Sequence, residues 1–76
     1  MNAAETPCLR FSALWLPHSG NVCFFLNGQD IGFMRWEDKS LWVTAGTVHP
    51  DLQRVAAAYV AAHAFPENET AIEVLP

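Results

Sequence analysis

The stretch Val22-Cys23-Phe24-Phe25-Leu26-Asn27-Gly28-Gln29-Asp30-Ile31-Gly32-Phe33 decides how this chain folds. Two apolar runs flank Asn27-Gly28, and an Asn-Gly pair supplies the two positive-φ positions of a type I′ turn. Such a turn fixes pairing, so Leu26 should face Gln29, Phe24 should face Ile31 and Val22 should face Phe33. Successive side chains of a strand point to opposite faces, so each pairing also assigns a side of the sheet.

Working outward, Pro17-His18-Ser19-Gly20 and Glu37-Asp38-Lys39-Ser40 carry the turn residues on either side of the hairpin. Four strands follow from these signals: Cys8–Leu16, Asn21–Leu26, Gln29–Trp36 and Leu41–Ala45. Carried through the loops, the register sets Leu16 against Val22, Trp15 against Cys23, Trp36 against Leu41 and Met34 against Val43. One face then collects Leu14, Leu16, Val22, Phe24, Leu26, Ile31, Phe33 and Trp42. The other collects Phe11, Ala13, Trp15, Cys23, Phe25, Met34, Trp36, Leu41 and Val43. A half-solvated antiparallel sheet alternates apolar with polar residues, and this one does not. Phe11, Trp15, Phe25 and Trp36 together present roughly 600–1,000 Å². The largest exposed apolar patch of an ordinary monomer is about 300–600 Å². Either a partner covers the second face, or a one-residue register shift and the terminal segments cover it from within.

Beyond the sheet, Gly46-Thr47 ends the meander and a helix follows over Pro50–Ala64. Pro50 suits the first helical position, where its missing N–H is harmless. Asp51 puts a negative charge at the positive end of the helix dipole. Leu52, Val55, Ala56, Tyr59 and His63 recur at spacings of three and four and mark the buried side. Pro66 disfavours helix in the residue before it. Ala57, Ala58, Ala61 and Ala64 leave the far side without charge, from helix propensity alone or to admit a close neighbour. Thr70–Leu75 alternates as a short final strand. Met1–Pro7 reads as a loose lead-in.

The chain has 76 residues, 51% of them hydrophobic and three of them Trp, which bounds it to one small α+β domain. Four Lys/Arg against eight Asp/Glu give a net charge of −4. That balance argues against direct binding to nucleic acid, which needs clustered cations. No apolar run approaches the ~18 residues of a membrane span, and no secretory leader is expected at the N-terminus. The two cysteines, Cys8 and Cys23, should then be reduced thiols in a cytoplasmic protein.

Cys8, Cys23, His18, His49 and His63 form no Cys-x₂-Cys or His-x₃-His pair, so no metal site or cofactor is expected. Cys23 stands mid-strand among aromatics, where burial makes a thiol inert. Gly32 lies in a strand and cradles no phosphate; opposite Cys23, it relieves crowding under a neighbouring aromatic. No catalytic residue is assigned and the chain is read as a non-enzyme. The aromatic pair Trp15 and Trp36, with Phe25 and Met34, instead suggests an interface, because Trp is enriched at binding hot spots. Asp30, Glu37 and Asp38 would lie near its rim.

In format, the acidic single domain, the meander Cys8–Ala45, the alanine-rich helix Pro50–Ala64 and the absence of a catalytic set resemble the small phage-encoded inhibitors of bacterial defence, the anti-CRISPR proteins. The resemblance covers most of the chain and rests on architecture and size, without a residue motif. It implies a non-catalytic inhibitor in the host cytoplasm. Such a protein would occupy a surface of a CRISPR-Cas-type nuclease or surveillance complex, often a basic surface that would hold nucleic acid. The alternative reading is a homodimeric interaction module, its faces paired across a two-fold axis.

Overall fold

The computed structural model describes residues 9–44 and 49–74. The lead-in Met1–Pro7, Cys8, Ala45, Gly46-Thr47 and Leu75 lie outside these residues. Five antiparallel strands and one helix follow in the order β1 (Phe11–Leu16), β2 (Asn21–Leu26), β3 (Gln29–Arg35), β4 (Ser40–Trp42), α1 (Leu52–Ala62) and β5 (Glu69–Ile72). The sheet order is β4-β3-β2-β1-β5, a four-stranded meander with the last strand added beside the first. The fold is α+β, and α1 lies on one side of the sheet. Among the described residues no helix is long and apolar enough to cross a membrane.

The hairpin turn forms as its sequence requires. Asn27 and Gly28 have φ of 51° and 83°, and Leu26 faces Gln29. The Asn27 side chain also accepts a hydrogen bond from the Arg10 backbone N at 3.0 Å, while Asn27 N donates to Arg10 O at 2.8 Å. The turn therefore anchors the start of β1 as well as the hairpin it closes.

Two departures from the expected register rearrange the faces. In the first, the loop Pro17–Gly20 closes one residue tighter, so Leu16 pairs with Asn21 and Trp15 with Val22. Both Ser19 N and Gly20 N bond back to Leu16 O, and Gly20 takes φ of 74°, which glycine adopts without penalty. In the second, β3 bulges: Phe25 faces Asp30, but Phe24 faces Gly32, leaving Ile31 as the extra residue. Asp30 Oδ1 accepts a hydrogen bond from Gly32 N at 3.0 Å, a side-chain turn that bends the strand at the point where Gly32 has φ of 149°. Pairing of β3 with β4 slips by two residues, to Met34–Leu41 and Arg35–Ser40, which leaves sidedness intact.

Each one-residue shift flips everything beyond it. Phe11, Ala13, Trp15, Val22, Phe24, Met34 and Trp36 therefore gather on the side that α1 covers. The buried core is Phe11, Ala13, Val22, Phe24 and Met34 from the sheet with Leu52, Val55, Ala56 and Tyr59 from the helix. The helical face read from spacing is the one buried, with His63 half-buried at its end. Burying a side chain such as Val22 or Phe24 completely contributes about 1.5–3 kcal/mol.

The helix is shorter than expected at both ends. Its first turn is preceded by a turn at residues 49–51, in which Leu52 N bonds to His49 O and Asp51 N to His49 Nδ1. Asp51 makes no side-chain cap and instead accepts from Arg54 Nη1 at 3.1 Å. At the other end His63 is already extended, with φ of −130°, although its N–H still reaches Tyr59 O. From there the chain turns back so that Glu67 N donates to the Tyr59 hydroxyl at 2.9 Å, and Asn68 O accepts from Trp15 N.

Candidate docking face

The side of the sheet opposite α1 has no element packed on it among the described residues. Its side chains follow from the register. A central row runs across the strands as Glu69 on β5, Leu14 on β1, Cys23 on β2, Phe33 on β3 and Trp42 on β4. Above it lie Ala71, Ser12, Phe25 and Asp30; below it lie Leu16, Asn21, Arg35 and Ser40. Four of the five central residues are apolar. Trp42 is 52% exposed, and its ring stacks on Phe33 with centroids 6.4 Å apart and planes within 12°. Leu14, Cys23, Phe25 and Phe33 are half-buried by their neighbours alone. The result is an apolar stripe with polar groups on both flanks.

The residues named from sequence divide between the two faces. Phe25 and Asp30 lie on the open side. Met34 is 1% exposed and belongs to the core, so it is not a surface anchor. Trp15 is partly buried against the same core. Trp36 is also turned inward: Tyr59 meets it edge-on at 6.0 Å and Lys39 Nζ lies 3.5 Å over its ring. The expected cluster of Phe25 with Trp15, Met34 and Trp36 on one face therefore does not form, because the two register shifts carry β1 and the end of β3 to the helix side. Glu37 and Asp38 are exposed in the turn Trp36–Lys39, at the end of β3 away from Asp30. The Asp38 carboxylate accepts from Ser40 N at 3.0 Å, and this bond holds its pKa below the ordinary carboxylate value.

The expected register puts Leu14, Phe33 and Trp42 on the face with Val22 and Phe24, away from the expected interface. The signal that could have found them is Asp30-Ile31-Gly32: an aspartate two residues ahead of a mid-strand glycine builds a side-chain turn and marks a bulge. Gly32 itself faces Phe24 rather than Cys23. What it makes room for is the Trp42 carbonyl and the Leu52 side chain.

Cys23 sits in the middle of the apolar row. Burial first, and the Asp30 carboxylate second, raise its pKa. The folded value thus lies above the roughly 8.5 of an unfolded cysteine. Stability from the protonated thiol is present below that unfolded value and is lost as pH rises through the higher folded one. In a Cys8→Ser background, Cys23 alkylation at about pH 8 should be slower in the folded protein than in urea. Its pH midpoint should also be higher when folded; equal midpoints would contradict the environment described.

No group of three or more His, Cys, Asp and Glu side chains converges as a metal-binding set among the described residues. His63 Nδ1 lies 3.0 Å from Glu67 Oε1, and Thr70 Oγ1 donates to Glu67 Oε2, which ties the end of the helix to β5. A shallow groove of about 380 Å³ lies between α1 and the β4 edge, lined by Met34, Leu41, Ala57, Val60 and Ala61 among others. It is where the small alanine side chains of the helix meet the sheet edge.

The fold and face define a small α+β protein with one sheet side covered by a helix and the other presenting an aromatic stripe. Comparison with protein-family models, curated protein sequences and solved structures finds no match to this chain.

Proposed function

We propose that this chain is a non-catalytic protein-binding inhibitor that works by laying its open sheet face on another protein. The observation that carries the reading is the stack of exposed Trp42 on half-buried Phe33, on a row continued by Cys23 and Leu14. Large rigid aromatics desolvate extensive area at little entropy cost, which is why they dominate binding hot spots. Phe25 adds a further aromatic above the row. Asp30, Glu37 and Asp38 give the rim acidic groups, suited to a basic surface that would otherwise hold nucleic acid. The resemblance to anti-CRISPR proteins supplies the class of target, a CRISPR-Cas-type nuclease or surveillance complex.

The test is a titration of the protein into cleavage reactions of a panel of such complexes. Loss of cleavage at a stoichiometric ratio, weakened about 30-fold by Trp42→Ser, is the expected result for a hot-spot residue contributing ~2 kcal/mol. Trp42 is half exposed, so Trp42→Ser should keep the fold, which circular dichroism checks. Unchanged cleavage across the panel would remove this class of target. Inhibition undiminished in Trp42→Ser would remove the face.

A further inference from the structure

We propose that in the free protein the open face is covered by a second copy of the chain, stacked face to face about a two-fold axis that runs along the Leu14–Cys23–Phe33–Trp42 row. The inference rests on the reading of this face as an interface and names its occupant in the absence of a target. Charge complementarity within one strand selects a second copy as the occupant. Asp30, Phe33 and Arg35 face the same way only because of the bulge at Ile31. Their β2 partners are Phe25, Cys23 and Asn21, which are evenly spaced two residues apart. Asp30 and Arg35 therefore stand on opposite sides of the row, each about 7 Å from it.

A half-turn about the row exchanges those two sides while it turns the face over. Asp30 of one copy then lies over Arg35 of the other, and symmetry makes the pair twice. An axis parallel to the strands between β2 and β3 would instead set Asp30 over Phe25 and Arg35 over Asn21, with no charge matched. Neither group is held in a salt bridge among the described residues: Arg35 makes no side-chain hydrogen bond and meets Asp38 only through a minor attraction at a distance, and Asp30 uses only Oδ1, for Gly32 N and Thr44 Oγ1. The row itself becomes the dry centre, with Cys23 over Cys23 and Phe33 over Phe33, and the strands run aligned as in a sandwich. Sheet twist carries both edge strands apart, β4 as well as β5, so Trp42 closes one end of the row against Phe33 and Glu69 stays in water at the other.

The size of the face sets the character of the dimer. Strands of 6, 6, 7, 3 and 4 residues, rising ~3.4 Å per residue and spaced ~4.8 Å, cover on the order of 850 Å² over both copies. That is below the size of stable specific interfaces, so the dimer is weak and exchanging, and a target competes with the second copy for the same stripe.

Light scattering from low micromolar to millimolar protein should show the mass rising from 8.4 kDa toward twice that value. In the Cys8→Ser background, alkylation of Cys23 should slow in step with the mass, because Cys23 lies on the row. Arg35→Glu should move the midpoint to roughly tenfold higher concentration. Asp30→Asn keeps the Oδ1 acceptor that holds the bulge and removes only the charge. It should move the midpoint in the same direction, by less than the charge reversal does. A constant mass of 8.4 kDa, a dimer whose Cys23 alkylates as fast as the monomer's, or an unmoved Arg35→Glu midpoint would each overturn the proposal. The effect of Trp42→Ser on nuclease inhibition judges the docking reading separately, so the two fail independently.

Discussion

Gly32→Ala should destabilise the protein by about 3–5 kcal/mol, the largest effect expected of any single methyl group added to this chain. Two costs coincide at this position. The backbone has φ of 149°, which L side chains rarely adopt, and a Cβ built there would lie 2.6 Å from the Trp42 carbonyl oxygen and 3.0 Å from Leu52 Cδ2. Leu52 can rotate away, but the Trp42 carbonyl belongs to the neighbouring strand and moves only if β4 moves. At roughly 0.05–0.15 kcal/mol per residue, a chain of this length has only about 4–11 kcal/mol in total. The thermal midpoint should accordingly fall by ~15 °C or more, or the cooperative transition should vanish. Gly28→Ala is the control. Its φ of 83° carries strain, but nothing lies within 4 Å of the added Cβ. A cost of ~1–2 kcal/mol is expected there. Equal losses in the two variants would mean that the approach to Trp42 carries no weight and that backbone conformation alone selects glycine.

The same position explains why the faces were hard to read and the elements were not. Asn27-Gly28 announces its turn through local chemistry that needs no tertiary context, and the hairpin forms as read. The helix is equally local: Leu52, Val55, Ala56 and Tyr59 are the residues its period puts inward and the residues the core buries. β5 is visible as a brief alternation and lands at Glu69–Ile72 instead of Thr70–Leu75, because Trp15 N bonds to Asn68 O just ahead of the strand.

Sidedness depends on something finer. Whether Pro17–Gly20 closes on Asn21 or on Val22 is decided by two hydrogen bonds to Leu16 O and one positive φ, and either loop suits the same residues. The bulge is likewise decided by a single Asp30–Gly32 hydrogen bond. With a period of two, an error of one residue exchanges the faces completely. Trp15, Met34 and Trp36 thus move from the expected interface to the helix side, while Leu14, Phe33 and Trp42 move out to the open one. An apolar second face was legible from composition; its membership was not. The bulge that forces Gly32 into strain also brings Asp30 beside the apolar row, so the costliest backbone position and the proposed interface share one origin.

Tyr59→Ala should cost about 3–5 kcal/mol, and its comparison with Tyr59→Phe separates two roles of one side chain. Tyr59 is 1% exposed and stands where three rings converge: Phe24 edge-on at 5.9 Å, Trp36 edge-on at 6.0 Å and His63 tilted at 4.6 Å. Truncation would open a cavity between α1 and the sheet and remove the edge-on ring contact that Tyr59 makes with Trp36. The hydroxyl has a second task. It accepts from Glu67 N, and the chain from there leads directly into β5. Phe keeps the ring and loses that bond, at a cost of about 1 kcal/mol. The loss should be local. Hydrogen exchange in Tyr59→Phe should quicken at Glu67 and along Glu69–Ile72, and at Trp15, whose N–H donates to Asn68 O, while the Phe24 and Met34 amides keep their protection. If exchange rises uniformly instead, the hydroxyl supports the whole fold rather than the docking of β5. If β5 protection is unchanged, the His63–Glu67–Thr70 contacts hold the edge strand without help from Tyr59.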